Sequence, residues 1–378
     1  MRVFVRFRNA RTIDVRLGLL AVVTASVLYA GQSASGGAVP PAGFVKAQGT
    51  ELVLDGTPFR FTGVNIYMAA SGGTPSSCGG ELYPNVGVPL SHTPDGIVVR
   101  FWAFQQFFVS QKSFRWEQFD QVLATAAAHH DKVIPVLANQ YAYCDGVLKT
   151  ASWYRSGYRT AIAPGDLTTY RNYVSRIVTH YANNPTIAMW QLVNEGEAVN
   201  SDGTCDEAEA FNDMRAFSDN VGAMVHRLDP NHLVSLGALA GYSGSGAQWC
   251  GSANGDYEEL MASRGTDVCD FHDYGWPTEP MGPPPAPNLT SAIQMCHTDD
   301  KPIMVAETGI YAHGSAELPS RAAEFRAKFS AQFVAGVVGE LLWDWAVKPD
   351  YNNPAPDAWY GISPGDPSLS VLHSFRSE

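Results

Sequence analysis

The sequence predicts an α/β protein, a (β/α)8 barrel (TIM barrel) with an N-terminal β-hairpin, and three observations predict it. Short apolar runs rich in Val, Ile and Leu alternate with amphipathic stretches, the pattern of βα units around a parallel sheet. Eight such runs occur, the number that closes a barrel. The first and last of them span nearly the whole chain beyond its N-terminal segment, so one domain accounts for the rest.

Residues 1–38 are set apart as a signal peptide or membrane-anchor segment. Arg2, Arg6, Arg8, Arg11 and Arg16 make a basic stretch, Leu17 to Ala30 is apolar but short for a bilayer span, and the small residues GQSASGGA follow. Cleavage fits after Ser35 or Ala38, which leaves residues 39–378 as the barrel domain and moves the formal charge from -12 to -16. Next, FVKAQGTELVLDGTPF places two alternating segments about an Asp-Gly turn, a hairpin suited to plug the bottom of the barrel.

The eight runs are RFTGVNIY near 60–67, GIVVRFW at 96–102, KVIPVLAN at 132–139, TIAMWQLVNE at 186–195, HLVSLGAL at 232–239, VCDFHDY at 268–274, PIMVAET at 302–308 and ELLWDW at 340–345. Helices are expected at WEQFDQVLATAAAHH, LTTYRNYVSRIVTHYA, EAEAFNDMRAFSDNVGAMVHRL and PSRAAEFRAKFSAQFVAG. In the second of these, Tyr170, Tyr173, Val174, Ile177, Val178 and Tyr181 recur at three- and four-residue spacing, one apolar stripe for the barrel wall. The Pro-rich PTEPMGPPPAPN at 277–288 cannot be helix and reads as a stiff rim to a site.

Composition excludes several classes. An acidic chain with only 16% charged residues is neither a basic nucleic-acid binder nor a disordered tail, and 9 Trp with 16 Tyr suit flat polar ligands. Six cysteines without a CxxC give no zinc or thioredoxin motif; export makes disulfides the natural reading, with Cys205–Cys250 and Cys269–Cys296 as nearest-neighbour pairs among fifteen possible pairings. There is no GxSxG, HExxH or GxGxxG, and no Lys follows a Gly as a P-loop requires. Asn288-Leu289-Thr290 is a glycosylation sequon.

In a barrel, reactive residues stand at the C-terminal ends of the strands. Those ends carry Asn65 and Tyr67, Arg100 and Trp102, Asn139, Asn194 and Glu195, His272 and Tyr274, Glu307, and Trp343 with Trp345. Two carboxylates on the fourth and seventh runs would face each other across the mouth, as a two-step glycosidic displacement requires, with one as acid/base and the other as nucleophile. Glu307 suits the nucleophile, because Arg100 and Tyr274 within reach would keep it ionised. Glu195, after the apolar AMWQLV, suits the acid/base. Asn194 can donate to a sugar 2-hydroxyl, and Trp343 or Trp345 can give the ring a platform. Singly, a strand-end Glu is more often a rim charge and His272 a structural histidine; the constellation reverses that. Trp102, Trp190 and Trp276 stand evenly between core and platform, His129 and His130 read as helix-terminus partners, and Glu197 and Asp273 tune the field of the mouth.

The chain resembles glycoside hydrolase family 5 over nearly all of residues 39–378. The resemblance rests on GFVKAQGTELVLDGTPFRFTGVNIY, VVRFW, YANNPTIAMWQLVNE, LDPNHLVSLG, DFHDY, KPIMVAETG and LLWDW, and is strongest with the β-mannanase branch. It implies Glu195 as acid/base and Glu307 as nucleophile, ringed by Arg100, Asn194, His272, Tyr274 and Trp343. Two departures stand out. Gly196 replaces the usual Pro after the Asn-Glu pair, leaving the loop entry freer. Asn139 and Gln140 stand where many members place a His.

The expected function is an exported, retaining β-glycoside hydrolase, most like a mannan endo-1,4-β-mannosidase. The alternatives are a β-D-galactofuranosidase or other galactan hydrolase, and a catalytically silent carbohydrate-binding protein. The expected partner is a polysaccharide or oligosaccharide, with no nucleic acid and no lasting membrane insertion, and the chain acts as a monomer, secreted or in the cell envelope. Hydrolysis by two carboxylates needs no cofactor and no metal.

Overall fold

Runs that are apolar without alternation fit strands buried on both faces, and that is how they pack. The computed structural model describes residues 42–71, 85–238, 250–251, 256–274, 279–282, 288–346 and 359–375. The expected signal segment, Trp276 and most of the Pro-rich stretch lie outside them. The barrel strands are β1 (Phe61–Asn65), β2 (Val98–Trp102), β3 (Lys132–Val136), β4 (Met189–Gln191), β5 (Leu233–Ser235), β6 (Cys269–Asp273), β7 (Ile303–Thr308) and β8 (Val337–Leu342). They run parallel in the order β5-β4-β3-β2-β1-β8-β7-β6, and a parallel bridge between Ser235 and Val268 joins the two edges. The eightfold barrel expected from the sequence is the observed fold.

The expected N-terminal hairpin is a three-stranded antiparallel meander. Val45–Gln48 pairs with Glu51–Leu54, which pairs in turn with Thr57–Pro58. Asp55 and Gly56 take φ of 52° and 80°, the left-handed pair that a tight hairpin turn needs. Val45 and Leu52 are buried against Phe61, Val98, Met304 and Leu341, so the meander plugs the floor of the barrel.

The four expected helices are α1 (Glu117–Ala128), α2 (Tyr170–Tyr181), α3 (Glu207–Leu228) and α6 (Leu318–Ala335); α4 (Asp256–Met261), α5 (Leu289–Thr298) and α7 (Leu369–Ser374) add to them. All six stripe residues of α2 are buried. Asn288 of the sequon is the N-cap of α5: its side chain accepts from Ser291 N at 3.0 Å while the Ser291 hydroxyl accepts from Asn288 N, a capping box. His129, just past α1, pairs with Asp95 at 2.9 Å. No described helix is long and apolar enough to cross a membrane.

Two expectations need correction. The last strand lies three residues earlier than ELLWDW implied, because Gly336, at φ 110°, caps α6 and feeds straight into β8. Trp343 and Trp345 therefore follow the strand. Trp345 is 1% exposed and belongs to the core, as does Trp190, whose indole donates to Asp229 at 2.9 Å; neither is a platform. Cys205–Cys250 and Cys269–Cys296 form disulfides as paired above, and Cys144 is also disulfide-bonded.

Candidate active site

The top of the barrel is organised around one buried cation. Arg100, on β2 and fully buried, donates Nε to Gln191 Oε1 at 2.8 Å, Nη1 to Asn65 Oδ1 at 2.8 Å and to Glu307 Oε1 at 2.6 Å, and Nη2 to Asn194 Oδ1 at 2.6 Å. A planar guanidinium can serve four acceptors at fixed angles, so Arg100 ties β1, β2, β4 and β7 into one frame. Asn65 is held in turn by donating to Ala306 O and Leu342 O.

Glu307 leaves β7 buried, with its second oxygen accepting from the Tyr274 hydroxyl at 2.5 Å. Burial, the largest influence, raises its carboxyl above the ordinary range, while Arg100 and Tyr274 pull it back toward the ionised form. Glu195 follows β4 with φ of 52°, a left-handed conformation that is costly for a residue with a Cβ and turns the chain at the strand end. Its side chain is 18% exposed, the more open of the two carboxylates.

His272 stands between them. Its Nδ1 lies 3.1 Å from Glu195 Oε1 and 3.4 Å from Glu307 Oε2. Burial, with Arg100 adding to it and Glu307 opposing, lowers the imidazole to about 4, so the ring is neutral with its Nδ1 facing the carboxylates. Glu195, His272 and Glu307 each offer one atom within 4.8 Å of the others. A metal ion could use such a trio, but the Arg100 cation at 2.6 Å from Glu307 opposes one. A second trio, Cys205, Glu207 and Cys250, has its sulfurs committed to a disulfide.

The remaining expected residues divide by exposure. Trp343 is half-buried, stacked on Tyr67 at 5.5 Å and 11° and set against Trp102 at 5.9 Å. Trp102 is 1% exposed and lies under the Arg100 guanidinium at 5.0 Å, so it supports the site from below. Asn139 is fully buried and its Oδ1 accepts from Asn194 Nδ2 at 3.1 Å; it braces Asn194. Gln140 turns away, accepting from Tyr154 at 2.7 Å and donating to Lys149 O. Asp273 pairs with Lys328 of α6 at 2.8 Å, which neutralises it behind the barrel wall.

Gly196 corrects the idea of a freer loop entry. Its N–H donates to Gly237 O at 2.8 Å, a bond Pro could not make, and a Cβ would come within 3.0 Å of the Tyr154 hydroxyl.

Sequence reasoning passed over three residues. Gln191 links Arg100 to Asp270, donating to Asp270 Oδ2 at 3.3 Å, and burial raises that carboxyl to about 7. The third is Tyr141, on the loop after β3, whose hydroxyl bonds to Glu195. A lone Gln inside an apolar run and the two-residue step from Tyr274 through His272 to Asp270 were signals for the first two. Nothing local marks Tyr141.

Comparison with known proteins fits this geometry. No protein-family profile matches the chain. A probable mannan endo-1,4-beta-mannosidase C of Aspergillus terreus is 27% identical over 285 residues, 67% of this chain and 69% of that protein. Mannan endo-1,4-beta-mannosidase 7 of Arabidopsis thaliana is 27% identical over 235 residues, and the chain spans about half its length, 52%. Among solved structures, an endo-1,4-beta-mannanase from Rhizomucor miehei superposes with a TM-score of 0.63 at 19% identity, covering 87% of this chain and 97% of that one. A glycoside hydrolase family 5 mannosidase from the same fungus gives 0.59 at 15%, covering 88% and 96%. At such identities the structures speak for the shared barrel, and the curated relatives add the sequence likeness. The chain is similar to the mannan endo-1,4-beta-mannosidases and shares the barrel of glycoside hydrolase family 5 mannanases, the resemblance expected from its sequence.

Proposed function

We propose that the protein is a retaining β-glycosidase that cleaves β-1,4-mannan internally by double displacement. The observation that carries this reading is the separation of the carboxylates: oxygens of Glu195 and Glu307 lie within 4.8 Å of one another. Retaining enzymes hold the pair roughly 5 to 5.5 Å apart, whereas inverting ones need roughly 6.5 to 9.5 Å to admit a water.

In the first step Glu307, kept available as a carboxylate by Arg100 and Tyr274, attacks the anomeric carbon from one face. Glu195 gives its proton to the departing glycosidic oxygen, and a covalent glycosyl-Glu307 ester results. In the second step Glu195 takes a proton from water, the water oxygen attacks the same carbon, and Glu307 leaves. His272 bonds to Glu195 through Nδ1 and sets the same atom 3.4 Å from Glu307. Asn194, fixed by Arg100 and Asn139, keeps one amide hydrogen for a sugar 2-hydroxyl. Trp343 offers its face to the ring.

The relatives' names favour mannan over galactofuranan, and a carboxylate pair held this close has no use in a silent binding protein. Residues 1–38 are proposed as the signal or anchor segment, and export is supported by disulfides of a kind that persist outside the cytoplasm. The enzyme is proposed to act as a monomer.

The test is product release from galactomannan, carboxymethyl-cellulose, xylan, galactofuranan and arabinan, with Glu307→Ala alongside. Release from mannan by the wild type alone is expected. Turnover by Glu307→Ala at near wild-type rate would overturn the mechanism, and saturable binding without product would favour the binding protein.

A further inference from the structure

The loop after β3 carries a feature that the two-step reaction does not use. Tyr141 and Tyr143 stack with ring centroids 5.8 Å apart and planes 6° from parallel, a two-ring slab whose inner hydroxyl bonds to Glu195 and whose outer ring, Tyr143, is 49% exposed. Only two of the exposed large apolar side chains among the described residues are aromatic, Tyr143 and Tyr311. They connect to different carboxylates: Tyr311 stacks on Tyr360, which meets Tyr274, the partner of Glu307.

The slab is held firmly. Asn139 donates through Nδ2 to Tyr143 O at 3.1 Å and through its backbone N to Asp145 Oδ2 at 2.8 Å. Asp145 and Lys149 are a buried ion pair at 2.9 Å, Lys149 N donates to Gln140 O at 2.9 Å, and Cys144 is disulfide-bonded. A ring on so fixed a loop loses little freedom when a ligand covers it.

We infer that Tyr143, backed by Tyr141, is the platform for the leaving-group sugar, the β-linked hexopyranose that Glu195 protonates away. The inference rests on the proposed roles of the two glutamates. The glycosidic oxygen must come within hydrogen-bond reach of Glu195, and the sugar beyond it must extend away from the carbon that Glu307 attacks. The Tyr141–Tyr143 slab borders Glu195 through the Tyr141 hydroxyl, and sugar C–H faces stack on aromatic rings.

The test compares two substrates. A β-1,4-mannooligosaccharide leaves as a sugar; a dinitrophenyl β-mannobioside leaves as an activated phenol that needs neither platform nor proton. Tyr143→Ala is expected to lower kcat/KM for the oligosaccharide about tenfold more than for the aryl substrate, mostly through KM, as the loss of a stacked ring would. Tyr143→Trp should restore the ratio, and Tyr143→Ala should also form fewer transglycosylation products, whose acceptor uses the same place. Equal losses on both substrates, or none, would overturn the inference while leaving the site reading intact. Failure of the wild type on both substrates would overturn the site reading and the inference with it.

Discussion

Arg100 and Glu307 form an ion pair of 2.6 Å in which neither side chain is more than 2% exposed. Burying two charges costs free energy that this geometry recovers only because the guanidinium has three further acceptors in Gln191, Asn65 and Asn194. The pair is better suited to fixing the Glu307 carboxylate than to stabilising the fold.

Arg100→Lys keeps the charge but replaces a four-acceptor fork with a single ammonium. Asn194 and Gln191 lose their common partner, and the frame around Glu307 loosens. The expected outcome is a fall in kcat on mannan of about 100-fold with a native circular dichroism spectrum.

Tyr274→Phe removes the hydroxyl that donates to Glu307 Oε2 at 2.5 Å. Losing a donor to the carboxylate disfavours its ionised form, so the carboxyl titrates higher. With Glu307 as the proposed nucleophile, which must be ionised to attack, the acidic limb of the kcat/KM profile should move to higher pH, and kcat should drop about tenfold. An unmoved acidic limb would count against Glu307 as the ionised nucleophile.

Asp270 lies under the site, fully buried, with its carboxyl raised by burial to about 7. Between about pH 4 and 7 the folded state therefore holds a proton that the unfolded state has released, and the stability this group contributes is lost as pH rises through 7. Asp270→Asn removes that dependence. Relative to wild type, the Tm of the variant should rise between pH 5 and pH 8 by roughly 3 °C, read by calorimetry.

Cys205 and Cys250 close a loop of 45 residues between the start of α3 and the segment after β5. Replacing both by Ser releases that constraint on the unfolded chain. The expected loss is about 3 to 4 kcal/mol, or a Tm lower by about 5 °C, measured against wild type under non-reducing conditions.

The barrel was legible because strands buried on both faces leave continuous apolar runs, and the polar residues ending those runs pointed to the mouth. Glu195, Glu307, Arg100, Asn194, His272 and Tyr274 all stand there. What escaped depends on contacts between elements. The start of β8 was hidden because α6 ends at Gly336 with no loop before the strand. Trp102 and Trp345 differ from Trp343 only in what covers them, which no run of sequence records. Tyr141 reaches Glu195 from a different strand's loop, and Gly196 reads as loose until its bond to Gly237 is seen.

The most direct test of the two-step displacement is the anomeric configuration of the first product, followed by proton NMR during early hydrolysis of a β-1,4-mannooligosaccharide. With Glu195 and Glu307 oxygens within 4.8 Å, the β anomer should form first and mutarotate later. An initial α anomer would mean direct attack by water and would contradict the account.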